Sequence, residues 1–137
     1  MAITHGVAAR NAATDAVVDL IDAQAGAGKA VFRIAGSTVA SPSTPVATIT
    51  LNDPAFGASS NGAATLDVDP ALSDTNAAGG TIAFLTLQDA SDNIVIHVTV
   101  AETGTAGEYV DMTSGGLVVG AGDTVSITSL TYAALAA

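Results

Sequence analysis

No cysteine, no tryptophan and only three basic residues occur in this 137-residue chain. The missing cysteine removes disulfide frameworks, thiolate zinc sites and cysteine nucleophiles together. The shortage of lysine and arginine removes a different class. Nucleic-acid binding draws mainly on cations that neutralise phosphates, and Arg10, Lys29 and Arg33 are too few and too scattered to supply them. Thirteen acidic residues set the formal net charge at −10, so anionic membrane surfaces are disfavoured as well. Charged residues make up 12% of the chain, about half the usual share. A small domain with so little charge exposes apolar or small uncharged surface, which often belongs to an interface.

Long hydrophobic runs are also missing. No window approaches the roughly 18 uninterrupted apolar residues of a membrane span. The N-terminal MAITHGVAARNAATD lacks the basic start and continuous apolar stretch of a signal peptide. The expectation is a soluble protein made in the cytoplasm. The length fits one domain over residues 1–137, large enough to bury a core without metal or disulfide support.

What is present divides at Gly28. Residues 1–28 read as a helix and its cap. Thr4 is the expected N-cap, with a helix from about His5 to Ala23. Ala9, Ala13, Ala16, Val17, Leu20 and Ile21 recur at helical spacing and form the expected core stripe. Arg10, Asn11, Thr14, Asp15, Asp19 and Asp22 fall on the opposite, solvent side. Asp15, Asp19 and Asp22 repel one another there, and near a helix C-terminus they are mildly unfavourable. The plain reading is a solvated acidic face; the sharper one is a face for a basic partner. Gly26 and Gly28 end the helix.

Residues 29–137 change to period 2. Ala30, Phe32 and Ile34 alternate with Val31 and Arg33; Ala47, Ile49 and Leu51 with Thr48 and Thr50; Ala64, Leu66 and Val68 with Thr65 and Asp67. These patterns predict half-buried strands. Thr81 to Val100 predicts two apolar strands joined by the polar turn QDASDN, placed mid-sheet or covered on the second face by the helix. Gly36 to Pro45, Asn52 to Gly62 and Asp69 to Gly80 predict exposed loops, the second displaying Phe56. The switch of phase between Ile127 and Leu130 predicts a bulge or bend near Thr128 or Ser129. The fold class is mainly β: an antiparallel β-sandwich or barrel of about seven to eight strands with one N-terminal α-helix.

Chemistry-bearing motifs fail on inspection. AGAGKA (Ala25 to Ala30) imitates a phosphate loop, but Ala23 stands where the first glycine belongs and Ala30 follows the lysine. His97 lies mid-strand without a second histidine nearby, which favours a hydrogen bond over a metal. His5 reads as solvated. Asp67, Asp69 and Asp74, or Asp89, Asp92 and Asn93, could offer oxygens to calcium but read as turn formers. No nucleophile elbow or zinc motif is present, and the only glutamates are Glu102 and Glu108. No catalytic residue, cofactor or metal is expected.

Four passages carry a resemblance: AITHGVAARNAATDAVVDLIDAQAGAG (Ala2 to Gly28), LNDPAFGASSNGAAT (Leu51 to Thr65), QDASDNIVIHVTV (Gln88 to Val100) and TVSITSLTYAA (Thr124 to Ala134). Across nearly its whole length the chain resembles small phage virion proteins encoded near the capsid genes. The resemblance implies a phage structural protein, first a capsid decoration (cement) protein and second a tail component, and it transfers no catalytic residues. The implied partner is the major capsid protein, with self-association into a small oligomer as a further possibility and no nucleic acid or membrane. The implied location is the outer capsid surface of a virion assembled in the host cytoplasm. A tail tube or tail-tip protein, and then a carbohydrate-binding module, are the rival readings; the missing tryptophan argues against the latter. Candidate contact residues are Phe56 and Pro54 on one loop, Val39 on another, and Asp15, Asp19 and Asp22 on the helix. Phe56 is the expected anchor, with folding back onto its own core as the alternative.

Overall fold

The computed structural model describes residues 3–102, 110–112 and 116–135. Glu108 and the Glu102 side chain, the two glutamates weighed above, lie outside what is described. Helix α1 spans Val7–Val18 and tightens into a 3-10 turn over Asp19–Asp22. Gly6, with extended backbone, holds the N-cap position in place of Thr4, and no side chain caps the helix. Gly28 then lets the chain pass close beneath the turn: a Cβ there would sit 2.7 Å from the Gln88 carbonyl oxygen. Only glycine fits this crossing from helix to sheet.

The strands are β1 (Lys29–Arg33), β2 (Pro45–Thr50), β3 (Ala63–Thr65), β4 (Leu72–Asp74), β5 (Gly80–Thr81), β6 (Phe84–Gln88), β7 (Ile94–Glu102), β8 (Val110–Met112), β9 (Val118–Val119), β10 (Val125–Ile127) and β11 (Thr131–Ala133). One five-stranded sheet has the order β2-β1-β6-β7-β8. Its pairs are antiparallel except β7 with β8, which run parallel. Three two-stranded ladders, β10-β4, β11-β3 and β5-β9, make up the rest. The result is mainly β and sandwich-like, with one N-terminal helix and no closed barrel.

The strands outnumber the seven or eight expected because several are only two or three residues long, too short to show alternation. Thr81 to Gln88 is broken at Ile82–Ala83, so Thr81 pairs with Val118 while Phe84 onward joins the central sheet. The phase change near Thr128 is where the chain leaves β4 and resumes against β3.

One face of the central sheet holds Ala30, Phe32, Ala47, Ile49, Leu85 and Leu87, all buried in one core with Val18, Ile21, Leu66, Leu72 and Ile82. At about 25 cal/mol per Å² of apolar area removed from water, this face is the main source of stability. The second face of β1 and β6 is buried too, and there Arg33, Thr86 and Gln88 stand beside Val31. Arg33, only 8% exposed, donates from Nε to Thr86 Oγ1 (3.1 Å), from Nη2 to Gln88 Oε1 (3.2 Å) and from Nη1 to the Ser43 carbonyl (2.7 Å). One expectation is corrected: β1 is buried on both faces. The central pair lies mid-sheet, as the first of its two expected placements had it, and the second face of β6 is closed by hydrogen bonds and not by α1. The helix instead lies against β3 and β11.

Candidate interaction surface

The segment Asn52 to Gly62, expected as an open loop, is one arm of a narrow hairpin. Ser60 and Ala63 exchange both backbone hydrogen bonds (2.8 and 3.0 Å), and Phe56 bridges Leu66. Asn61 and Gly62 form the two-residue turn with φ of 51° and 86°. Asn-Gly suits that geometry because both positions need positive φ. Phe56 is 6% exposed and belongs to the core. The expected exposed anchor is therefore withdrawn: bridging to Leu66 turns the ring inward, while Pro54 beside it remains exposed.

The hairpin arm leaves backbone groups unpaired toward α1, and the helix answers them with side chains. Asn11 Oδ1 accepts from the Gly62 N–H (2.7 Å) and Asp15 Oδ1 from the Ser59 N–H (3.0 Å). Both oxygens of Asp22 accept from the Ala55 N–H (3.0 and 3.2 Å). Thr14, fully buried, donates to the Gly62 carbonyl (2.6 Å) and accepts from the Ala134 N–H (3.0 Å), tying the C-terminal segment to the same seam. Arg10 donates from Nη1 to the Asn61 carbonyl (2.8 Å).

The helix thus faces the opposite way from the stripe read in its sequence. Its buried positions are Thr14, Val18 and Ile21. Of the expected core stripe only Ile21 is buried; Ala9 and Ala16 are exposed, Ala13 and Val17 half-buried, and Leu20 is 54% exposed. Asp15 and Asp22 turn inward onto backbone amides, and only Asp19 stays exposed. The Asp22 carboxyl is held above the ordinary carboxylate range, first by burial and then by the nearby Asp53 and Asp19 charges, against the lowering effect of the Ala55 N–H.

All three cations are engaged within the fold. Arg10 holds the hairpin turn, Arg33 holds the polar sheet face, and Lys29 Nζ meets Asp92 Oδ1 at 2.7 Å, the one ion pair among the described residues. Asp92 also accepts from Gln88 Nε2 (2.9 Å). Its carboxyl is held low by the Lys29 hydrogen bond, then the Gln88 bond and the Lys29 charge. Asp89 accepts from the Ser91 and Asn93 backbone N–H groups and from Asn93 Nδ2, all at 2.9 Å, and is likewise held low, chiefly by the Asn93 side chain. Asp67 and Asp74 accept from the Asp69 and Asn76 amides, forming local turns.

His97 stacks tilted on Phe84 at 4.8 Å, and its Nε2 is buried with no hydrogen-bond partner among the described residues. Among those residues no group of three or more histidines and carboxylates is close enough to hold a metal. A cleft of about 430 Å³, walled by Leu85, Leu87, Ile96, Val98, Leu130 and Tyr132, offers mainly apolar contact. No helix among the described residues is long and apolar enough to cross a membrane. Val39 is 61% exposed at the tip of the Gly36–Pro45 loop, and Ile3, Val7 and Val118 are exposed elsewhere. The loop itself is braced: Ser43 Oγ donates to the Ile34 carbonyl (2.6 Å), and the Ser43 N–H donates to Ser37 Oγ (3.2 Å). No family model matches the chain, and no curated protein or solved structure is significantly similar to it.

Proposed function

We propose that this chain is a non-enzymatic virion structural protein of the capsid decoration type, binding the outer capsid surface and bracing neighbouring capsid subunits. The observation that carries the reading is where the charged groups go. Arg10, Arg33, Asp15, Asp22, Asp74 and Asp89 each hold backbone groups of the fold, and Lys29 is paired with Asp92. What remains outside is uncharged or acidic, with Leu20, Val39 and Val118 among the exposed apolar side chains. Such a surface suits attachment to a protein array and repels a packaged genome. The likeness of the four sequence passages to phage virion proteins supplies the capsid as the array. Many copies on symmetric positions convert modest single contacts into firm attachment.

The test is co-sedimentation with capsids that lack the protein, beside the protein alone. Saturable binding at a fixed copy number, with more capsids surviving heat or low salt, is the expected result. Absence of binding, with rings or tubes formed by the protein alone, would move it to the tail.

A further inference from the structure

The inverted helix leaves an apolar face with nothing from the described chain over it. At about 100° per residue, Ala9, Ala12, Ala13, Ala16 and Leu20 fall on one outward side of α1 and its 3-10 turn. Ala9, Ala12, Ala16 and Leu20 are exposed. No charged side chain lies within that face. Arg10, on one flank, is turned toward Asn61. On the other flank, at the C-terminal end, Asp19 and Asp53 are exposed and close enough to raise the Asp22 carboxyl. The negative end of the helix dipole points the same way. The chain has no cation to set against them, since its only three are held elsewhere.

We infer that the outward face of α1, from Ala9 to Leu20 with Asp19 and Asp53 at its end, docks on an apolar protein surface fringed by lysine or arginine. The inference rests on the decoration reading, in which that surface belongs to a capsid subunit. Charge selects the occupant. A second copy would bring thirteen more acids and three cations already engaged, so like-charge repulsion stands against pairing of two copies. Alanine at four of the five positions lets a partner approach the helix backbone closely. Leu20 is the one side chain long enough to enter a pocket. The face is short, which fits a contact repeated over many copies better than an isolated dimer.

The experiment uses intact protein and capsids lacking it. Leu20→Glu and Ala16→Glu change only exposed side chains, and Ser126→Glu, at an exposed polar position of β10, is the control. Expected is a loss of capsid affinity of about tenfold or more for the two helix variants, with melting temperature unchanged and Ser126→Glu binding normally. Asp19→Asn with Asp53→Asn should weaken binding less and flatten its dependence on salt. If the unaltered protein binds capsids and Leu20→Glu binds equally well, the docking face is wrong and the decoration reading stands. If the unaltered protein does not bind, both fall. If the free protein forms oligomers that Leu20→Glu dissolves, the face serves a second copy and the inference is overturned.

Discussion

The central sheet and the helix obey the same rules and end with opposite faces inward. In β1, β2 and β6 the alternating apolar side chains turn to the core, as hydrophobic burial demands. In α1 and its 3-10 turn the alanine face turns outward and Asn11, Thr14, Asp15 and Asp22 turn inward. The difference lies in what each element faces. The sheet faces other side chains; the helix faces a strand arm, several of whose amides and carbonyls have no strand partner and must still be paired. Five backbone groups of that arm are met by helix side chains. Stranding them costs about 1–3 kcal/mol each where they are buried. Turning the alanines inward gains only about 0.8 kcal/mol per methyl, and would remove Val18 and Ile21 from the core.

Two leucines give the largest contrast. Leu85→Ala, in the sheet, should cost about 2–5 kcal/mol, because its side chain is 1% exposed and belongs to the core. Leu20→Ala, on the helix, should stay within about 0.5 kcal/mol. Urea denaturation of both variants measures the difference. A comparable loss at Leu20 would mean that the outward face is covered in the folded protein, and the contrast would collapse.

Thr14→Val comes next, at about 2–3 kcal/mol. The substitution preserves shape while removing the hydroxyl that serves both Gly62 and Ala134. Hydrogen exchange should show the Ala134 amide losing protection while β1 and β6 keep theirs. A neutral Thr14→Val would show that the seam is held by packing of Val18 and Ile21 alone.

The fold class was legible because it depends on the sheet. Ala47, Ile49 and Leu51, or Ala64 and Leu66, alternate with threonines that stay exposed, and the structure buries those positions. The hairpin around Asp89 was legible through its turn residues. The helix was legible as a helix but not in its orientation, since a periodic stripe names two faces without saying which surface meets them. The missed signal was Asn61-Gly62. Read as a tight turn, it would have paired Ser60 with Ala63, drawn Phe56 inward and placed a strand arm in need of hydrogen bonds beside the helix. Nothing in a period-2 pattern could reveal the polar face of β6, because Arg33, Thr86 and Gln88 look like solvent-facing residues until a second element closes over them.

The smallest effects separate the two regions by pH. Asp22, in the seam, is held above the ordinary carboxylate value by burial first, and Asp92, beside the sheet, is held below it by Lys29 first. Linkage fixes the signs. With a raised value, folded Asp22 binds protons before the unfolded chain does, so its contribution improves as pH falls toward about 4. With a lowered value, Asp92 contributes fully above about pH 4 and loses that contribution as pH falls further, through its folded value. Asp22→Asn keeps an acceptor for the Ala55 amide and removes a charge from beside Asp19 and Asp53. It should therefore raise the melting temperature slightly at pH 7 and erase the gain between neutral pH and about 4. Asp92→Asn should lower it at pH 7 and reduce the loss below about 4. Melting curves of the three proteins from neutral to acid pH decide the matter. A stabilising Asp22→Asn would show that the seam needs an acceptor and tolerates the charge. A destabilising one would show that the charge itself strengthens the bond to Ala55 by more than burial and its neighbours oppose it.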